Sequence, residues 1–248
     1  MVNPNEVDER ILRTVGLYKV ATRSTVAMLL PGDSEPDKRL SKLIKNGLLR
    51  VHKGLPGNRS IYQLSKKGAA VAGVSPARGR VVGTQALVKN LGVLLFCHVP
   101  GKERHRIELD QLSQALGAPV PDGAYCVCRM QQQALVFDCY VPGPQTPVTT
   151  IIRHMRKMLK AVKDTPVLAT AVKDLRFGFV VLVPTAQRRK AVMDAVRTKA
   201  EGERLPLIKR VRVWVEIVDE LAALFGTAGP SLGRSSAGAS QTLLFPTE

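Results

Sequence analysis

Lys38, Lys42 and Lys45 recur at spacings of four and three residues, which places them on one side of a helix, with Arg39 and Ser41 on its flanks. Cationic groups presented this way suit phosphate oxygens and, with a serine among them, the base edges of a duplex major groove. Asn58 and Arg59 follow in a turn, where a hairpin tip reaches the adjacent backbone or groove. A second series, Arg153, Arg156, Lys157, Lys160 and Lys163, lies opposite or beside an apolar stripe later in the chain. Other chemistry is poorly represented. Cys97, Cys126, Cys128 and Cys139, with His52, His98, His105 and His154, show neither a CxxC nor a paired ligand spacing. Cys126 and Cys128 share one face of a strand, the pattern of reduced, buried thiols, so no metal and no cofactor is assigned. No Gly-rich phosphate loop, Ser-His-Asp set or zinc motif is present, and the chain is expected not to be an enzyme.

The composition points to a polyanionic partner. The 248 residues carry 37 Lys and Arg against 20 Asp and Glu, a formal net charge of +17 and a pI near 10.2, well beyond what solubility needs. Leu91 to Val99 is the longest apolar run of note, far short of the roughly 20 residues of a spanning helix, and the polar opening MVNPNEVDER is no secretory signal. A cytoplasmic protein with no membrane partner is expected. A single tryptophan, Trp214, argues against a base-stacking platform for single strands.

The elements that position the first cationic face read as follows. Asn3-Pro4 opens a first helix with Val7, Ile11, Leu12 and Val15 inward, and Thr22 or Ser24 caps a short second helix ending before Pro31-Gly32. Ser34 and Asp37 have capping-box spacing for a third helix whose Leu40, Leu43 and Ile44 form its apolar stripe, and Asn46-Gly47 stops it. Leu48 to Leu55 and Ile61 to Leu64 make a hairpin around Pro56-Gly57-Asn58-Arg59, and a fourth helix follows Leu64-Ser65. Together these describe a winged helix-turn-helix, an α+β domain over residues 1–73.

Residues 74–84 read as a linker, and 85–225 as an α/β domain. Its signals are an apolar helix over Gln85 to Cys97, a short strand from Arg106 running into a helix over 111–116, and a hairpin of 125–130 with 134–141. A helix capped by Thr146 runs to about Lys163; it is followed by a continuous apolar strand over 177–183, a helix over 185–199 and a strand over 211–218. Residues 226–248 read as a disordered tail.

A winged helix with GLLxxxxG and YQLSKKG ahead of an α/β domain resembles the plasmid replication-relaxation proteins, associated with plasmid replication and mobilisation. The resemblance implies a restriction-endonuclease-like second domain, in which a helix precedes a three-stranded meander, then a helix and a fourth strand. Such nucleases hold a metal with a P-D dipeptide and a D/E-x-K set, the lysine orienting the attacking water. Here Pro121-Asp122 is followed by Asp138-Cys139-Tyr140, and a neutral phenol stands where the lysine belongs. The implied scaffold is therefore catalytically inactive.

The expectation is thus a double-stranded-DNA-binding protein of a bacterial plasmid or mobile element, acting as a homodimer in replication or DNA transfer. DNA contacts are expected from Lys38, Arg39, Ser41, Lys42, Lys45, Asn58 and Arg59, and from Arg153, Arg156 and Lys160. The alternatives are a ligand-controlled winged-helix transcription regulator and a metal-dependent nuclease.

The tail adds a partner. Gln241, Leu244 and Phe245 in QTLLF resemble the Q-x-x-L-F peptide by which bacterial replication proteins grip the sliding clamp. A peptide of residues 236–248 is expected to bind purified clamp at micromolar strength, about −8 kcal/mol, and Gln241→Ala with Phe245→Ala to abolish the calorimetric signal.

Overall fold

The computed structural model describes residues 5–30, 35–55, 59–130, 133–198, 209 and 211–225. The chain is mixed α and β, and it divides into two compact units between His98 and Val99.

In the first unit, α1 (Glu6–Tyr18) is capped by Asn5, whose side chain accepts from the Asp8 amide at 3.0 Å. Ile11, Leu12 and Val15 are fully buried, as the 3.6-residue period requires. A two-residue strand, β1 (Ala21–Thr22), runs straight into α2 (Arg23–Leu29), with Thr22 and Thr25 forming a reciprocal capping box. Next come α3 (Pro36–Lys45), β2 (Leu49–Leu55) and β3 (Arg59–Leu64). The sheet is antiparallel in the order β1-β3-β2, with Ala21 opposite Tyr62 and Val51 opposite Tyr62 on its other side. Ser65 caps α4 (Lys66–Val71).

Two expectations about this unit are corrected. Residues 74–84 are no free linker. Val74 packs on the core, and a 3-10 turn over Pro76–Gly79 lies against the start of α4. Gly79 approaches so closely that a Cβ there would sit 2.7 Å from the Ser65 carbonyl oxygen, and its own carbonyl accepts from Arg50. The apolar helix α5 (Thr84–Cys97) also belongs to this unit rather than to the second, touching α1. His98, just beyond it, meets Tyr18 edge-on at 5.0 Å; burial pushes its imidazole down despite a hydrogen bond with the Leu94 carbonyl.

The second unit is built on a five-stranded sheet in the order β4-β5-β6-β7-β8: β4 (Arg104–Ile107), β5 (Tyr125–Met130), β6 (Gln133–Tyr140), β7 (Phe177–Val183) and β8 (Arg212–Ile217). β4, β5 and β6 form an antiparallel meander, and β6, β7 and β8 run parallel. Its helices are α6 (Leu109–Leu116), α7 (Val148–Lys163), α8 (Pro166–Lys173), α9 (Ala186–Thr198) and α10 (Asp219–Leu224). Parallel neighbours need crossovers, which α7 with α8 and then α9 supply. All of β7 is buried, as a strand covered on both faces must be. Phe177, Phe179, Val181 and Val183 share a core with the apolar face of α7 and with Val192 and Val196 of α9.

Thr146 is not the cap of α7. Pro147 holds that position without a side-chain bond, and the Thr146 carbonyl instead accepts from Arg188 at the start of α9.

The sheet coils strongly. β4 and β8 are separated by four inter-strand gaps, about 19 Å if flat, yet Arg104 Nη1 donates to Glu216 Oε1 at 2.8 Å. The long side chains of Arg104 and Glu216, with the coiling of a twisted sheet, close that distance. Gly178 sits at the crowded middle, where a Cβ would lie 2.6 Å from the Arg212 carbonyl oxygen and 2.8 Å from the Phe137 ring. Gly178→Ala is therefore expected to destabilise the chain by about 1–3 kcal/mol, the range for overpacking, read as a lowered midpoint in chemical denaturation.

Candidate nucleic-acid interface

α3 is amphipathic, and its apolar side is settled: Leu40 is 2 % exposed and Leu43 fully buried. The polar side is narrower than its sequence implies. Asp8, in the first turn of α1, is only 1 % exposed and receives a cation on each oxygen. Arg39 Nη1 donates to Oδ1 at 3.1 Å and Lys42 Nζ to Oδ2 at 3.0 Å. Lys42, expected to face a ligand, is thus half-committed to the fold, and Arg39 more so. Periodicity identifies the residues opposite the stripe but not a second helix lying along its flank. What remains outward is Lys38, Ser41 and Lys45, an arc of about 60° on a helix that turns 100° per residue.

The remaining contacts brace α3. Arg23 of α2 chelates Asp37 with Nε at 2.8 and 3.0 Å and Nη2 at 2.7 Å. That hydrogen bonding holds the Asp37 carboxyl below its usual range. The helix starts at Pro36 with Glu35 as its N-cap, which makes no side-chain bond to the helix amides, so Asp37 does not stand at the third position of a capping box; Ser34 lies outside the described residues. Lys38 pairs with Glu35 at 2.9 Å, but both side chains are mostly exposed, and such a pair opens readily to a stronger anion.

Arg59 is exposed at the start of β3, opposite Leu55. Asn58 lies outside the described residues, as do Gln241, Leu244 and Phe245. Two cations not expected from the sequence are Lys66 and Lys67, exposed at the start of α4. Lys67 Nζ donates to the Asn46 carbonyl at 3.1 Å, which sets it beside the end of α3. Their signal in the sequence is the KKG that follows the second wing strand.

In the second unit α7 carries Arg153, Lys157, Lys160 and Lys163 exposed, with Arg156 half buried. Ile151, Ile152, Met155, Met158, Leu159 and Val162 are buried beneath them.

The same unit holds the two carboxylates of the nuclease comparison. Asp122 is exposed in the loop before β5, whereas Asp138 on β6 is 1 % exposed. His154 of α7 donates from Nε2 to Asp138 Oδ2 at 2.6 Å, and the Tyr140 ring stacks on its imidazole at 4.2 Å. Tyr125 donates to the Pro121 carbonyl at 2.7 Å; burial pushes its phenol up, with Asp138 and then Asp122 adding to the effect. Burial, then Asp138, likewise raises the Tyr140 phenol. Among the described residues no three His, Cys, Asp or Glu side chains come together in a metal-holding group.

Removing both cations from Asp8 leaves a sealed carboxylate without compensation. Arg39→Ala with Lys42→Ala is expected to cost about 3 kcal/mol, the low end for an uncompensated buried charge because water reaches Lys42. Lys38→Ala with Lys45→Ala should stay within about 0.5 kcal/mol. Thermal and urea unfolding of the two double variants decide the point.

Comparison with protein-family models, with curated proteins and with solved structures finds no match to this chain.

Proposed function

We propose that the chain binds duplex DNA through its first unit, read as a winged helix-turn-helix with α3 as the recognition helix, in the replication or transfer of a bacterial plasmid or mobile element. The observation that carries this reading is the pairing of an element order with a surface. Helix, strand, helix, helix and hairpin, with the sheet ordered β1-β3-β2, leave one arc of α3 outward, and that arc bears Lys38, Ser41 and Lys45. A helix of this kind fits a major groove, and a hairpin beside it reaches the backbone. Arg59 supplies that second contact, and Lys66 and Lys67 extend the cationic rim.

An arc of three side chains reads only a short site, so a homodimer on repeated half-sites follows. The protein works in the cytoplasm, where plasmid DNA is. The second unit is read as a nuclease-like scaffold that serves binding rather than cleavage. A meander followed by a helix and a parallel strand supports that reading, while the helix expected ahead of the meander belongs to the first unit. Against cleavage, Tyr140 occupies the lysine position of the expected motif, and one Asp138 oxygen is committed to His154.

The test begins with selection of a preferred site from a random duplex pool, followed by fluorescence anisotropy over a salt series. Lys45→Ala with Arg59→Ala should weaken binding while leaving stability unchanged. Removing a phosphate contact should reduce the log-log salt slope by about 0.9, and removing a base contact should cost about 1–3 kcal/mol of discrimination. Unchanged affinity, slope and preference would remove α3 and the hairpin from the account.

A further inference from the structure

We infer that the outer face of α7 is a second docking surface, and that its occupant is the sugar-phosphate backbone of a nucleic-acid duplex, gripped without regard to sequence. The inference rests on no residue of the first unit. Its ground is a contrast in how cations are partnered. On α3, Lys38 meets Glu35, and Arg39 and Lys42 meet Asp8. On α7, Arg153, Lys157, Lys160 and Lys163 are exposed, and none of them forms an ion pair among the described residues. The helix itself contains no acidic residue, and Asp164, its C-cap, ends the stripe.

The geometry suits a linear polyanion. Arg153, Lys157 and Lys160 fall within about 60° of one another around the axis and span about 10.5 Å along it at 1.5 Å per residue. A duplex carries one charge per about 1.7 Å of its axis with both strands counted, so each of three cations spread over that length has a phosphate within reach. The platform is also firmly held. Beneath it Asp138 takes the hydrogen bond from His154, Tyr140 stacks on that ring, and the Tyr125 hydroxyl lies 3.7 Å from the Met158 sulfur. The helix that carries the cations is thus already ordered, and only their side chains lose freedom on binding.

A lipid surface fits less well. A helix lying in a membrane interface buries its own apolar face in the acyl boundary. In α7 that face is consumed by the fold, with Ile151, Ile152, Met155, Met158, Leu159 and Val162 0–6 % exposed and Val148 packed against the same core. Val167 of α8 is the one large apolar side chain exposed in this unit among the described residues. Cations without apolar companions favour the nucleic-acid backbone.

The experiment compares the full-length chain with its Arg153→Ala, Lys157→Ala, Lys160→Ala variant on random-sequence duplex DNA by anisotropy over a salt series. The log-log slope should become shallower by about 2.7 when three phosphates go unmatched, and affinity at 0.15 M salt should fall on the order of a hundredfold. The ratio of affinities for preferred and random duplex should not change. A variant with Lys157→Arg and Lys160→Arg should keep the parent slope, and thermal unfolding of all three proteins should coincide. An unchanged slope in the triple variant overturns the inference and leaves the α3 reading standing. Loss of binding to phosphatidylserine vesicles with duplex binding retained overturns it in favour of a lipid surface. No duplex affinity in the parent at any salt overturns both.

Discussion

A carboxylate sealed from water has to be met by positive charge from within the fold, because leaving it uncompensated costs several kcal/mol. Asp8 is such a group, and the arrangement of the first unit follows from how it is satisfied. The two cations come from α3, one turn apart, so α3 is locked to α1 in both rotation and position along its axis. Locking the rotation also decides which residues face outward. A slip of one residue would turn the helix by 100° and carry Lys38 and Lys45 off the exposed arc. The bidentate Arg23–Asp37 contact holds the other flank, between α2 and α3. The outward arc is therefore a consequence of the inward contacts, and the residues that fix it are not the ones it presents.

The second unit solves a different problem. Its central strand β7 is buried throughout, and parallel pairing on both sides demands helical crossovers. These crossovers, α7 above all, must lie flat on the sheet, which they do by devoting every large apolar residue to the core. What is left on the outside of α7 is then almost purely cationic. The Asp138–His154 contact ties the helix to β6 at its middle, where a neutral pair of packed side chains would allow more sliding. Gly178 is part of the same constraint, since any side chain there would push β8 away from β7.

Much of this was legible in the sequence wherever one periodic signal met one partner. The buried stripes of α1, α3 and α7 and the continuous apolar run of β7 fall where the pattern places them. The failures share a cause, which is that a third element intervened. Asp8 looks like an ordinary first-turn acid favoured by the helix dipole, and nothing in the residues near it announces that α3 will cover it. Asp37 has capping spacing, but the helix starts one residue later than that spacing needs, and Asp37 is bound by a guanidinium fourteen residues away. β1 is two residues long and has no period to detect. α5 is apolar nearly all round, so its pattern does not say which unit will bury it. Residues 76–79 carry Pro and Gly and read as a linker, yet Gly79 is there because the turn must press against α4.

The difference between the two cationic faces bears on how an excess of positive charge is used. A protein with +17 net charge repels itself, and the compact state is relieved wherever a cation is matched by an anion from within. On α3 Arg39 and Lys42 are matched by Asp8, and that matching fixes the rotation that sets Lys38 and Lys45 outward. Accuracy is what reading base edges requires, because a bidentate contact tolerates little error in position. On α7 Arg153, Lys157, Lys160 and Lys163 form no ion pair among the described residues, and an external anion would relieve the repulsion among them. A backbone contact of that kind needs charge density more than exact placement. Under the proposed reading the two helices divide between them the two requirements of DNA recognition, and the internal ion pairs, rather than the number of lysines and arginines, suggest which helix meets which.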